Sequence, residues 1–278
     1  MRKSTFRILV TGASSGIGYS AARELALFGH TVFAAARRVS QMESLRQFGV
    51  TPVYLDVTSE ESISECLATV GEVDVLVNNA GYGYFGAIEN VPLEDARQQM
   101  EVNLFGLAAL CRAVLPGMRS RGFGRIINVS SVAGRGVLYF GGWYHVSKFA
   151  VEAFSDALRI EMKPFGVDVV LIEPGGIRTP WGGIAADHLH DSSVGTPYEV
   201  PALNEARTLK WAYSRRLLSK PEVVQRAISR AVRARHPRAR YIVGFGARSL
   251  LFWHAILPTR WWDALARLGG RPIIARFS

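Results

Sequence analysis

The feature that most restricts the fold of this chain is a repeated rhythm of short unbroken apolar runs, each followed by a stretch with helical spacing. The runs fall at residues 7–10, 30–35, 52–55, 73–77, 125–129, 167–172 and 241–243. Helical spacing occupies 17–28, 40–48, 59–70, 94–119, 144–163 and 221–234; in the first of these Ile17, Ala21, Leu25 and Phe28 share a face. The runs are continuous rather than alternating apolar with polar, so both faces of the sheet they form must be covered. Strand–helix repetition with right-handed crossovers predicts a single α/β domain, a doubly wound parallel sheet of about seven strands with helices on both faces. A ligand then belongs at the carboxyl ends of the strands.

The rhythm stops after Pro174. Residues 175–205 are rich in Gly, Pro, Ser and Asp without a clear period, and so long a stretch inside a compact domain is expected to be a lid or binding loop. We place a substrate loop at 175–218, within a catalytic domain spanning 1–246. The remainder, 247–278, is aromatic and interrupted by Pro258; it is expected to pack on the pocket, on a subunit contact or on a membrane surface, with the membrane the less favoured. Of 33 Lys+Arg and 23 Asp+Glu, residues 205–278 carry 16 and 3, a local surplus of 13 in a chain of net charge +10. Such asymmetry can serve an anionic partner, but with 28 Arg and only 5 Lys it also fits base composition and solubility. No nucleic-acid-binding module accompanies it, and no nucleic-acid partner is expected. Cys66 and Cys111 lack CxxC or Cys/His spacing, which argues against disulfides or structural zinc and for a reducing compartment. No apolar run reaches the ~18–20 residues of a spanning helix, and a cytoplasmic protein is expected.

The motifs sit at the strand ends. After the first run comes Thr11-Gly-Ala-Ser-Ser-Gly-Ile-Gly18. Gly12, Gly16 and Gly18 permit a tight turn and close backbone approach, and the helix that follows aims free N–H groups at an anion, so Ser14, Ser15 and Ile17 should border a pyrophosphate. The second run ends in Ala36-Arg37-Arg38, where a ribose with a free 2′-hydroxyl usually meets an acid. Two guanidiniums there favour a 2′-phosphate, hence NADP(H), with NAD(H) a secondary option. Asp56 and Val57 end the third run, and Asn79, Ala80 and Gly81 follow the fourth; Asp56 could accept from an adenine amino group, and Asn79 could brace the sheet edge. Asn103 lies in an otherwise apolar helix and needs a partner, a water or a task. Thirteen residues after Ser131 come Tyr144 and then, at i+4, Lys148 on the same helical face. A neighbouring ammonium favours the phenolate and should bring a phenol from about 10 toward working pH, as a general acid–base for alcohols and carbonyls requires.

Taken together, TGASSGIG (11–18), LDV (55–57), NNAG (78–81), EVNLFG (101–106), INVSSVAG (127–134), YHVSK (144–148) and EPGGIRT (173–179) resemble the short-chain dehydrogenase/reductase family in order and spacing, over roughly residues 5–245. Within it the stretch 78–106 looks most like the branch containing 17β-hydroxysteroid and retinol dehydrogenases. The resemblance implies a Rossmann-type fold and an NAD(P)-dependent oxidoreductase with catalytic Asn103, Ser131, Tyr144 and Lys148. It further implies that Lys148 holds the nicotinamide ribose, that Asn103 holds a relaying water, and that Pro174, Gly175, Ile177 and Thr179 meet the nicotinamide end. In this family the helices at 94–119 and 144–163 pack against a second subunit, so a homodimer or homotetramer is expected.

The substrate pocket is expected to include Ser131, Val132, Leu138, Trp143, Gly176 and Trp181, with Trp211 from the loop. These side chains suit a small lipophilic carbonyl or alcohol of steroid, retinoid or fatty-chain type. A non-catalytic NADP(H)-binding sensor could use the same fold, but the intact set of Asn103, Ser131, Tyr144 and Lys148 argues against it. His188 and His190 form an H-x-H without a third ligand, so no metal is expected. His145, beside Tyr144 but about 100° round the helix, is expected to pack on the helix surface.

Overall fold

In the computed structural model, which describes residues 5–214 and 218–270, the apolar runs form one parallel sheet. Its strands are β1 (Arg7–Thr11), β2 (Thr31–Ala36), β3 (Thr51–Tyr54), β4 (Val75–Asn78), β5 (Gly124–Val129), β6 (Val167–Pro174) and β7 (Arg240–Val243), in the order β3-β2-β1-β4-β5-β6-β7. Every neighbouring pair is parallel. The order reverses between β1 and β4, which puts the switch point, and the expected crevice, at their carboxyl ends.

Each face of the sheet is sealed by its own apolar cluster. On one face α1 (Gly16–Leu27) and α8 (Glu222–Arg233) contribute Ala21, Leu25, Val224 and Ile228 against Ile8, Val10 and Val32. On the other, α2 (Glu60–Val70), α4 (Gly106–Ser120) and α5 (Gly142–Met162) contribute Ile63, Leu110, Met118 and Val151 against Leu9, Leu76 and Ile126. Arg125 is buried where β5 begins. It pairs with Asp168 at 2.7 Å and donates to the carbonyls of Val232 and Ala234 at 2.7 and 3.0 Å, satisfying groups that the end of α8 leaves open.

Several local expectations change. The stretch at 40–48 is a 3-10 helix, Val39–Phe48. The stretch at 94–119 is α3 (Leu93–Met100) joined to α4 through a π-helical turn, Glu101–Phe105. Read as one helix, Leu93–Ser120 has 28 residues and a mean hydropathy of 1.2 in its most apolar window. That amends the expectation that no segment reaches spanning length, although Leu107, Leu110, Cys111 and Val114 lie buried against the sheet.

The largest correction concerns the loop expected at 175–218, of which 215–217 lie outside the described residues: up to Ser214 it is mostly helical. It holds α6 (Trp181–Asp191) and α7 (Glu199–Ser214), packed on each other through Ala185, Ala186 and Leu189 against Ala202 and Ala206. Alanine faces give little hydrophobic contrast, so the helical period was faint in the sequence. The tail forms α9 (Ala247–Ile256) and α10 (Thr259–Ala266), hinged at Pro258.

Candidate active site

The crevice at the switch point is a cavity of about 890 Å³. Its floor begins with the glycine turn after β1. Gly12 and Gly16 have φ of +64° and +57°, the left-handed region that favours glycine. Gly18 does not reach the cavity; a Cβ there would stand 2.5 Å from Asn79 Nδ2 and 2.6 Å from the Gly12 carbonyl. Ser14, Ser15, Gly16 and Ile17 line the floor, and Ser15 stands at the N-cap of α1 without its side chain capping the helix. The first-turn N–H groups are therefore presented to the cavity, as a bound pyrophosphate requires.

The strand-end residues surround that turn. Thr11 Oγ1 accepts from the backbone N–H of Asn79 and of Ala80, both at 3.0 Å, while Asn79 Nδ2 donates to the carbonyls of Thr11 at 3.0 Å and Gly12 at 3.2 Å. Asn79, expected to brace the sheet edge, thus braces the glycine turn that follows β1. Arg37 and Arg38 are exposed on the rim, with Asp56, Val57, Ala80 and Gly81 on the adjoining wall. Asp56 Oδ1 accepts from the Thr58 N–H at 3.0 Å and from its hydroxyl at 2.8 Å. Burial raises the Asp56 carboxyl, but these bonds and the Arg37 charge together leave it below the usual value.

Across the cavity stand Ser131, Tyr144 and Lys148. Ser131 follows β5; its Oγ donates to the Pro174 carbonyl at 3.3 Å and accepts from the Ala133 N–H at 3.1 Å. Tyr144 and Lys148 share one face of α5, and the Lys148 Nζ lies 5.9 Å from the phenol ring and donates to the Val129 carbonyl at 3.0 Å. Here the electrostatics overturn an expectation. Burial pushes Tyr144 up to about 12, opposed by a hydrogen bond with the Ser131 side chain, and Lys148 is not what shifts it. Lys148 is itself pushed down to about 8 by burial, against the pull of the Glu152 charge. Desolvation disfavours the charged form of both groups.

Asn103 sits in the π-helical turn and is fully engaged. Its Oδ1 accepts from the Tyr82 N–H at 3.0 Å, and its Nδ2 donates to the Tyr82 carbonyl at 2.9 Å and to Ser147 Oγ at 3.0 Å. It pins the loop after β4 to α5 and is not on the cavity wall. His145 is not on the helix surface either. It is buried, with Nδ1 2.9 Å from the Ala133 carbonyl and Nε2 accepting from the Leu138 N–H at 3.0 Å, so it fixes the loop after Ser131. Burial lowers its pKa, consistent with a neutral ring that donates from Nδ1 and accepts at Nε2.

Pro174, Gly175, Gly176, Ile177 and Thr179 line the cavity beyond β6, and Val132, Leu138 and Trp181 complete the expected pocket. Trp143 does not: one residue before Tyr144, it points about 100° away, and it is absent from the wall. Trp211 is also off the wall and largely exposed. Leu250 of α9 brings the tail to the cavity wall. Sequence reasoning did not single out Phe85 and Tyr139, which reach the cavity from loops, nor Leu209 and Tyr213 of α7. It also missed Glu205, whose signal was a carboxylate on an apolar helical face. The tail closes over the loop after Ser131, where Trp262 Nε1 donates to the Val137 carbonyl at 2.9 Å. His188 packs on Tyr84 with ring centroids 4.4 Å apart, His190 pairs with Asp191, and among the described residues no group of three or more His, Cys, Asp or Glu is placed to hold a metal.

Comparison with known proteins bears on this site. A family model described as short chain dehydrogenase matches residues 7–188. The short-chain type dehydrogenase/reductase VdlC of Helicobacter pylori is 35% identical over 94% of this chain and 96% of its own. Retinol dehydrogenase 8 of Homo sapiens is 36% identical over 84% of this chain and 79% of its own. Among solved structures, a short-chain dehydrogenase from Streptomyces avermitilis superposes with a TM-score of 0.78 at 31% identity, covering 96% of this chain and 98% of that one. The closed form of a serine dehydrogenase complexed with NADP+ superposes with a TM-score of 0.75 at 28% identity, covering 85% and 94%.

The buried ammonium yields a prediction. Lys148 has a folded pKa of about 8 against 10.5 when unperturbed, so below pH 8 the folded chain carries the full penalty of its burial. Between pH 8 and 10.5 the folded state releases the proton first and the penalty fades. Lys148→Met, without cofactor, should therefore unfold later than the parent at pH 7, by roughly 1–3 kcal/mol. The gap should narrow as pH approaches 10, as measured by urea denaturation. A destabilised variant at pH 7 would contradict the burial argument.

Proposed function

Because this chain belongs to the short-chain dehydrogenase family, we propose that it is an NADP(H)-dependent oxidoreductase interconverting a lipophilic primary or secondary alcohol with its aldehyde or ketone. The observation that carries this reading is the convergence of Ser131, Tyr144 and Lys148 on one wall of an apolar cavity that continues into the glycine cradle. NADPH, when bound, supplies the hydride. Ser131 Oγ donates to the substrate oxygen, holding charge where it develops. Tyr144 Oη gives that oxygen its proton, or takes it in the oxidising direction. A phenol near 12 in the unliganded cavity is a weak acid and almost wholly un-ionised at neutral pH, so in the loaded site the charges of Lys148 and of the bound cofactor would have to lower it. Lys148 also holds the nicotinamide ribose, while Asn103 keeps the loop after β4 and α5 in register and the path to Lys148 ordered. Arg37, helped by Arg38, grips the 2′-phosphate.

The substrate body lies against Leu138, Trp181 and Gly176, under α6 and α7, with the tail as a further wall through Leu250. The chain acts as at least a homodimer: Val146, Phe149, Ala153, Ala157 and Ile160 form an exposed stripe along α5, at the helix the family uses between subunits.

Three measurements test this reading. Tyr144→Phe keeps the ring but deletes the acid, and should lower kcat by at least ~100-fold with NADPH affinity within about twofold of the parent. Near-parental turnover would remove Tyr144 from the chemistry. Arg37→Ala should raise the KM for NADPH at least ~10-fold and barely alter that for NADH. Equal losses with both cofactors would make Arg37 structural. Light scattering at micromolar concentration should give a mass at least twice the 30.6 kDa of the chain, and Phe149→Glu should shift it toward monomer; a monomeric parent would refute the assembly.

A further inference from the structure

One group on the cavity wall has no part in the reaction just described. The inner face of α7 consists of Ala202, Ala206, Leu209 and Tyr213, and Glu205 stands on it, three residues after Ala202 and four before Leu209. Glu205 lines the cavity, and its Oε2 is buried without a hydrogen-bond partner among the described residues. Acidic side chains are rarely buried unpaired, because nothing then offsets their lost hydration. Burial pushes Glu205 up to about 7, with no cation among the described residues drawing it back. The other side chains that α6 and α7 bring to the cavity, Trp181, Ile184, Leu209 and Tyr213, are apolar or aromatic. A carboxyl that served only the fold would be tied to its neighbours; this one has no such tie and belongs to a residue that lines the cavity. The other acidic residue on the wall, Asp56, follows β3 at the cofactor end and is already bonded to Thr58.

We propose that Glu205 anchors a second polar group of the substrate, a hydrogen-bond donor such as a hydroxyl or protonated amine, carried on the lipophilic body away from the carbonyl that Tyr144 protonates. This inference rests on the reading of the cavity as a carbonyl site and narrows its substrate class. A substrate that brings the donor bonds the cavity side of the Glu205 carboxyl, which the fold leaves without a partner. An unsubstituted hydrocarbon body leaves the carboxyl unpaired and is penalised for it. Glu205 thus acts as a specificity residue, not a catalytic one.

The test compares chain-matched twelve-carbon ketones: unsubstituted, and bearing a hydroxyl or an amino group at stepped distances from the carbonyl. NADPH oxidation is followed with the parent, Glu205→Leu and Glu205→Gln. The parent should prefer at least one donor-bearing ketone. In Glu205→Leu the ratio of kcat/KM for that ketone over the unsubstituted one should fall at least about tenfold. The near-isosteric Glu205→Gln should keep much of a hydroxyl preference and lose an ammonium preference. An unchanged ratio in Glu205→Leu, or a parent without any donor preference, overturns the anchor. If the parent reduces none of the ketones, the carbonyl reading itself fails. Tryptophan-fluorescence titration of the same ketones in the presence of NADP+ then judges Glu205 separately. A donor-dependent gain in affinity that Glu205→Leu abolishes supports the anchor, and equal relative affinities overturn it.

Discussion

A sheet covered by helices on both faces has only its two ends left for polar chemistry, and the parallel register here brings β1, β4, β5 and β6 to the same end. Val10 is paired with Val77, Asn78 with Asn128, and Val129 with Ile172, so the segments leaving these strands emerge side by side. The glycine turn, Asn79, Ser131 and Pro174 are neighbours for that reason, though they are spread over more than 160 residues of sequence. The hydrogen bonds between Thr11 and the Asn79–Ala80 backbone lock the two loops at the switch point together. Gly18 is the cost of that closeness, since no side chain fits between Asn79 and the Gly12 carbonyl.

The same arrangement makes the active-site charge depend on the last strand. Glu152 lies one helical turn beyond Lys148, and its charge favours the ammonium that burial disfavours. Glu152 is itself raised by burial and by Glu173, and lowered by Arg240 of β7. Arg240 stands 3.1 Å from Glu152, 2.6 Å from Asp156 and 2.9 Å from the fully buried Glu173, while Arg135 meets Glu173 from the other side at 3.2 Å. With Arg159, 2.6 Å from Asp156, three carboxylates and three guanidiniums form one network behind Tyr144 and Lys148. Loss of one partner would leave an uncompensated buried charge, so residues that never touch a ligand still govern Lys148.

Much of this was legible in the sequence because it is written in local patterns. Continuous apolar runs identify a sheet covered on both faces, the glycine spacing identifies a turn before a helix, and the i, i+4 pair places Tyr144 beside Lys148. What was not legible depends on long-range packing. The helices α6 and α7 meet through alanines, whose weak contrast with their surroundings looked like a loop. Trp143 and Trp181 are equally apolar, and only the phase of α5 and the fold of α6 decide which one faces the cavity. The burial of His145 is hidden from the sequence because its partners, the Ala133 carbonyl and the Leu138 N–H, lie in a loop that no period predicts. The sign of the Tyr144 shift is not legible either, because adjacency to an ammonium is visible in sequence, whereas the depth of burial of both groups is not.

The cavity is built in two materials, and the division has a consequence. Its cofactor half is mostly backbone and short side chains held by hydrogen bonds from the strand ends, an arrangement that tolerates little change. The half under α6 and α7 is aromatic: Trp181 packs edge-on to Phe85 at 5.6 Å and lies 5.0 Å from the Tyr144 ring and 6.1 Å from that of Tyr213. Glycines shape this half as well, because a Cβ on Gly83 would collide with the Trp181 ring and one on Gly182 with the Tyr213 ring. The helices carrying these rings contribute no strand to the sheet and meet each other through alanines. Their side chains can therefore be exchanged without moving the glycine turn, Ser131 or Lys148. In this architecture what the site does is fixed by the sheet edge, and what it accepts is set by a helical pair laid across it.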